Sequence, residues 1–436
     1  MFFGMGEGRA GKMVVSALDT TKFDKAIEVL ENIWNHRKAN PTERSDELYY
    51  QLILKYMQNI QKARDEGKFI VGHTIVIPPE IFYAMDIVPM HLEATSMMIT
   101  QCLSSYEEAF NAAKGFGFAP EVCSAHRNLN ALCILGWLPH PDAVIWSNQV
   151  CDNTSKSGDA PVELYGVPGF FLDRPYNYTD RDALYYTKEL EDMVHFLEDV
   201  SHRKMDWDRL KEALVHSQRS MDLHREITKM RRAVPSPMRN RKFMYLAVME
   251  WYLSGTPECV DFYQTVRDEV KGRMERKEGG IPDEKHRILT LFLPPINMWK
   301  LLDWMEREYG AVSVAEPYCS DWGEGDIDLS KPLESLARKS FYRPICRPMH
   351  GPLQEGVLSD TLRDAVEHKV EAAIYWAHIG CRQACACIRI LKDELSERYG
   401  IPTLVLDNDL IDPTFATEAE LKDKLEGFFE MLEDFK

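Results

Sequence analysis

Residues 370–409 read VEAAIYWAHIGCRQACACIRILKDELSERYGIPTLVLDND, and the fold class follows from this stretch. Its opening apolar run, up to Gly380, suits a strand buried on both faces of a parallel sheet. The following segment, CRQACACIRILKDELSERYG (381–400), spaces apolar residues three and four apart among charges, as a helix does, and Gly400 stops it. A second short apolar run follows in IPTLVLDND (401–409). Strand, turn, helix, glycine and strand in that order make a right-handed βαβ unit.

The same texture recurs outward from this unit. RILTLFLPP (287–295) and AVSVAEPY (311–318) are strand-like, with a helix-like INMWKLLDWMEREYG (296–310) between them. KFIVGHTIVIPPEIFYAMDIVPM (68–90), DAVIWSNQV (142–150) and GVPGFFLD (166–173) repeat the pattern upstream. Residues 20–66 and about 180–275 read instead as amphipathic helices, the latter broken at Pro235-Ser236-Pro237. KEGGIPDEKH (277–286) is the best linker candidate. The expected organisation is a helical segment over 1–66, a first α/β domain over 67–180, a helical segment over 181–280 and a second α/β domain over 281–436. Two α/β layers joined by helices would form a pseudo-symmetric pair with a cleft between them.

The 436 residues carry 69 acidic and 52 basic side chains, a net charge of −17, which argues against nonspecific nucleic-acid binding. No segment approaches the roughly 18 uninterrupted apolar residues of a membrane helix. The start lacks the order of a secretory signal, so a cytoplasmic location is expected. There the ten cysteines stay reduced, and grouped thiols point to metal or redox chemistry rather than structural disulfides.

Ligands of α/β sheets sit beyond the carboxyl ends of strands. Cys151 follows AVIWSNQV, Cys381 follows EAAIYWAHIG and opens a helix, and Cys123 in APEVCSAHR starts a helix running through Leu135. A helix N-terminus stabilises a thiolate and suits it to metal binding. One such cysteine is more often a buried small residue; three at equivalent junctions point to a shared ligand. Cys381, Cys385 and Cys387 form C-x3-C-x-C, with Cys381 and Cys385 on one helical face. Cys346 and Cys319 lie upstream in turn-rich sequence, and Cys102, Cys133 and Cys259 read as core. The spacings match neither a zinc ribbon nor the contiguous ferredoxin run.

Other features weigh less. Gly6 to Lys12 matches the G-x4-G-K spacing of a phosphate loop, but Met13 stands where Ser or Thr is needed and too little chain precedes it for the required strand. No G-x-G-x-x-G opens a helix. His73 in VGHTIV reads equally as core or site residue, and Glu93 in MHLEAT either faces the cleft or sits in a solvated turn. Asp407, Asn408, Asp409 and Asp412 crowd the end of the last strand, where Asp412-Pro413 starts a turn and an aspartate caps the next helix.

The HIGCRQ element (378–383) and DNDLIDPTF (407–415) resemble the C-terminal signature of the 2-hydroxyacyl-CoA dehydratase and benzoyl-CoA reductase superfamily. VGHTIVIPPEIFYAMDIVPMHLEA (71–94), EVCSAHR (121–127), SNQVC (147–151), PSPM (235–238) and EKHRILTLFLPPINMW (284–299) agree in order, so the resemblance spans about residues 50–436. It implies two Rossmann-like α/β domains plus a helical segment, and a 4Fe-4S cluster held by Cys123, Cys151 and Cys381. It also implies a dimer of like or related subunits and a separate ATP-dependent iron–sulfur activator protein that injects one low-potential electron. Dehydratases of this superfamily form a ketyl radical and expel the 2-hydroxyl as water.

Cys385, Cys387, Cys346 and Cys319 depart from the plain dehydratase pattern. A branch of the superfamily carries a double-cubane 8Fe-9S cluster, which needs about six thiolates. Cys123, Cys151, Cys381 and Cys385, with Cys346 and Cys319 or Cys387, would supply them; otherwise Cys385 and Cys387 pack as small apolar residues. The leading expectation is therefore a homodimeric iron–sulfur reductase acting on a small molecule, with His73, Glu93, His126 and Arg382 supporting the cluster or donating protons. The alternative is a 4Fe-4S dehydratase subunit acting on a CoA thioester, alone or beside a related subunit. A non-redox zinc protein using the same thiols is the third reading.

Overall fold

A computed structural model of the chain describes residues 18–320 and 325–434. Its strands fall into two parallel sheets of four. The first holds β1 (Ile70–His73), β2 (Val88–His91), β3 (Ala143–Ser147) and β4 (Gly169–Leu172), in the order β2-β1-β3-β4. The second holds β5 (His286–Leu291), β6 (Ala311–Ala315), β7 (Ala372–His378) and β8 (Thr403–Asn408), in the order β6-β5-β7-β8. The two orders are the same, so the expected pseudo-repeat is present as topology. In each sheet the chain moves outward from its first strand, then crosses back to the other side. That reversal opens a crevice at the carboxyl ends, between β1 and β3 and between β5 and β7.

The strands form where the sequence is apolar on both faces. Every residue of β3, β5, β6 and β7 is buried, which only helices packed on both sides of a sheet can achieve. The N-terminal helices Thr21–Ala39 and Arg44–Glu66 pack on each other, and Gly67 ends the second in the left-handed conformation. The central segment holds helices Asp180–Ser201, Trp207–Met230, Lys242–Leu253 and Pro257–Arg276. Lys242–Leu253 is buried on all sides as far as Tyr252, so it runs through the middle of the molecule rather than over its surface.

One expectation gains detail and one needs correction. The stretch 277–286 connects helix Pro257–Arg276 to β5, and it is tied down. Glu284 accepts a hydrogen bond from the Ser236 amide and pairs with Arg287, and a Cβ on Gly280 would fall 2.5 Å from the Met238 carbonyl carbon. The final helix, Glu418–Asp434, is capped by Thr417 and not by Asp412. The Thr417 hydroxyl accepts from the Glu420 amide while the Glu420 carboxylate accepts from the Thr417 amide, a reciprocal capping box.

Four buried charges join these parts. Glu80, on helix Pro79–Ala84 after β1, accepts hydrogen bonds from Lys339 Nζ at 2.7 Å, Ser217 Oγ at 2.7 Å and Ser254 Oγ at 2.9 Å. Glu250 pairs with Lys339 at 3.3 Å and with Arg343 Nε at 2.9 Å. Lys339 lies on helix Pro332–Tyr342, between β6 and β7, so the cluster ties the first sheet layer, the helical segment and the second sheet layer at one point. Burial alone would push the Glu80 carboxyl up, but Lys339 and Arg343 hold it at about 2.

Removing one partner of such a network leaves an uncompensated buried charge, at a cost of about 3–5 kcal/mol. Lys339→Met should therefore lower the unfolding free energy by that order in urea titrations at pH 7, and adding Glu80→Gln should recover part of the loss. A depressed carboxyl contributes stability above its unfolded value and loses it as the pH falls through the folded value. The wild-type protein should thus lose this contribution between pH 4.5 and about 2, and the double variant should lose less over the same range.

Candidate functional site

Three of the sequence-predicted cysteines come together where the carboxyl edges of the two sheets face each other. Cys123 precedes the first turn of helix Ser124–Leu135, Cys151 lies in the loop after β3, and Cys381 precedes helix Arg382–Ala386 after β7. All three are buried and free of disulfides. Burial pushes each thiol up, and Cys123 and Cys151 both add their charge to the effect on Cys381. In each case backbone amides in the turn that follows offset part of this: Ala125 and His126 for Cys123, Asn153 and Thr154 for Cys151, Ala384 for Cys381. Three sulfurs, each facing amides, is the pattern expected of thiols poised to carry negative charge.

Glycine sets the spacing. A Cβ on Gly380 would fall 2.6 Å from Cys123 Cα and 2.9 Å from its amide nitrogen, so only glycine lets the β7 loop touch the Cys123 turn. Asn153 donates to the Gly380 carbonyl at 3.4 Å. Asp152 is held by Arg382 and by Gln383, the latter at 3.1 Å. The loops bearing Cys151 and Cys381 are thus latched together. Arg382 is mostly exposed and serves this latch.

Histidines flank the sulfurs. The Leu410 amide donates to His378 Nδ1 at 3.1 Å, which leaves Nε2 to carry the proton, and Nε2 lies 3.1 Å from Cys123 Sγ. Asp409 stands 3.7 Å behind the same ring and is steadied with Asp412 against Arg127. His126 Nε2 lies 3.6 Å from Cys151 Sγ, while its Nδ1 meets Ser157 Oγ at 2.8 Å. Glu93 is buried at the start of helix Leu92–Leu103, not in a solvated turn. Among the described residues no side chain donates a hydrogen bond to either of its oxygens, and His91 Nδ1 is 3.5 Å away. Burial raises the Glu93 carboxyl to about 7, with His126 pulling it down. It can therefore hold or release a proton near neutrality.

The other candidates have surroundings of their own. His73 ends β1, donates from Nδ1 to the Thr74 carbonyl and faces Phe82 and His91, with burial lowering it to about 4. Cys346 is buried beside Gln149 and the guanidinium groups of Arg174 and Arg343. Cys319 is buried against Glu316 and Arg231. Cys385 is half-buried, with its thiol turned to the His378 carbonyl at 3.2 Å, and the Cys387 thiol meets the Gln383 carbonyl at 3.5 Å. Cys133 and Cys259 are core, and Cys102 is partly buried. The Gly6–Lys12 stretch lies outside the described residues. Sequence reasoning passed over His378 and Asp152, although His378 stands at a strand end three residues before Cys381.

Among the described residues no three His, Cys, Asp or Glu side chains converge closely enough for a single metal ion. An iron–sulfur cluster asks for something different: separate thiolates at its corners, a dry shell and N–H groups facing the sulfurs. Cys123, Cys151 and Cys381 fit that demand in donor type, burial and amide surroundings. Among the described residues no helix is long and apolar enough to cross a membrane.

Residues 74–432 match the sequence profile of the family described as 2-hydroxyglutaryl-CoA dehydratase, D-component. The chain is 25% identical over 316 residues to a benzoyl-CoA reductase subunit of Thauera aromatica, covering 68% of this chain and 71% of that protein. It is 22% identical over 401 residues to the (R)-2-hydroxyisocaproyl-CoA dehydratase alpha subunit of Clostridioides difficile, covering 88% and 95%. It is 23% identical over 336 residues to the (R)-phenyllactyl-CoA dehydratase alpha subunit of Clostridium sporogenes, covering 73% and 79%. With the profile spanning most of its length and dehydratase and reductase subunits among its relatives, the chain belongs to the 2-hydroxyglutaryl-CoA dehydratase D-component family and is an enzyme of the 2-hydroxyacyl-CoA dehydratase type.

Proposed function

We propose that this chain is the cluster-bearing subunit of a cytoplasmic enzyme acting on a CoA thioester, with a 4Fe-4S cluster held by Cys123, Cys151 and Cys381. The observation that carries this reading is the meeting of three buried thiols from three loops at the facing carboxyl edges. A bound cluster would supply single electrons at low potential, delivered by an ATP-dependent iron–sulfur partner protein. The relatives are named as subunits, which supports a related chain beside this one; a homodimer is the other arrangement.

The double-cubane 8Fe-9S reading draws on Cys385, which lies near Cys381. It also needs Cys346 and Cys319, or Cys387 in place of one of them. Cys346 is packed against Gln149, Arg174 and Arg343, and Cys319 against Glu316 and Arg231, so we favour three thiols and one cubane.

The chain's own residues divide the remaining work. His378 faces the Cys123 sulfur with its N–H, and the latch of Arg382 on Asp152 keeps the loops closed over it. Glu93, beside His126, holds a proton that a leaving hydroxyl would need to depart as water.

Iron and acid-labile sulfide on anaerobically purified protein should come to about four per chain. Cys381→Ala should lose most of that iron, while Cys346→Ala and Cys319→Ala should keep it. About eight irons, falling in the Cys346 variant, would restore the double cubane. Glu93→Gln should retain full iron and lower turnover of a 2-hydroxyacyl-CoA by about 10²–10⁴-fold, the usual worth of a general acid. Unchanged turnover would remove Glu93 from the chemistry.

A further inference from the structure

A cavity of about 590 Å³ lies away from the thiols, where the N-terminal helices, the helical segment and the amino edge of the second sheet meet. Gly280, Ile281 and Pro282, which lead into β5, form part of its wall. The six residues of β5 span about 20 Å and point away from it toward the opposite edge.

Its charge is unusual for this protein. Arg37, Arg239, Arg241, Lys242, Arg273 and Arg307 line it against four carboxylates, leaving two positive charges in a chain whose net charge is −17. The carboxylates are already engaged. Glu43 meets Lys242 at 2.8 Å and also Arg273, Asp46 meets Lys242, Asp303 meets Arg241, and Glu306 meets Arg239 at 2.8 Å. Two arginines of the lining have looser partners. Arg37 stands 5.4 Å over the Tyr50 ring and also acts on Asp46, and Arg307 pairs with Glu308 outside the cavity at 2.8 Å. Lys242 has a side chain only 3% exposed, and Tyr245, stacked on Tyr49 at 3.9 Å, adds an aromatic wall.

We propose that this cavity is a second binding site, for a small molecule bearing a diphosphate group. Guanidinium forks match phosphate oxygens two at a time, and a lining with more basic than acidic side chains favours an anion. The volume lies within the about 300–1,000 Å³ of small-molecule sites. A free nucleotide and the nucleotide end of a coenzyme both carry the group.

Inorganic pyrophosphate titrated calorimetrically into the full chain at low salt tests the site directly. Wild-type protein should bind it, and R37A/R307A, altering one half-buried and one exposed side chain, should bind at least tenfold more weakly with an unchanged circular dichroism spectrum. Iron-free and reconstituted samples should bind alike, because the cavity lies on the edge away from the thiols. No binding by wild type, equal binding by the double variant, or binding that needs iron would overturn the proposal. ADP and CoA titrated in the same way distinguish the two sources by which binds more tightly and loses more in the double variant.

Discussion

Glu80, Glu250, Lys339 and Arg343 are buried together, and the rest of the structure depends on their meeting. An isolated charge in the interior costs several kcal/mol, and the cost is offset only when opposite charges and hydroxyls arrive in good geometry. Here the partners come from four helices far apart in the chain. A packing that separated any one of them would strand a charge. This makes the arrangement of the two sheet layers around helix Lys242–Leu253 strongly preferred over alternatives that would satisfy the apolar pattern equally well.

The facing of the carboxyl edges follows from that arrangement. Once the layers are placed, Gly380 can touch the Cys123 turn and Asp152 can reach Arg382 and Gln383. The thiols are then dry, which by itself disfavours their charged forms. Backbone amides and the His378 N–H counter this locally. Histidine rather than lysine or arginine stands beside the Cys123 and Cys151 sulfurs. A permanently charged neighbour would favour a free reactive thiolate.

Glu93 illustrates how position changes chemistry. In MHLEAT it reads as a residue beside a strand, open to solvent or cleft alike. The helix that begins at Leu92 carries it inward, where burial keeps its proton near neutrality. His378 was equally visible in HIGC, but nothing in its spacing announces a contact with a cysteine 255 positions away. Cys346 and Cys319 lie in turn-rich settings that resemble ligand loops, and in the packed chain each also meets charged groups that its sequence surroundings do not announce.

Local facts were legible in the order of residues. Both-face apolar runs made parallel strands, three- and four-residue spacing made helices, and Cys123 and Cys381 were put at helix starts by the residues that follow them. Short-range periodicity and capping are sufficient for those statements, because they concern neighbours within one turn or one strand. It took the packed chain to bring Cys123 and Cys151 close to Cys381, to pin 277–286 against the Ser236 amide, to cap the last helix with Thr417, and to bury Glu93. Those outcomes rest on contacts between distant segments or on competition between nearby side chains for one backbone amide. Their energies depend on burial and close approach, which no single stretch of sequence contains.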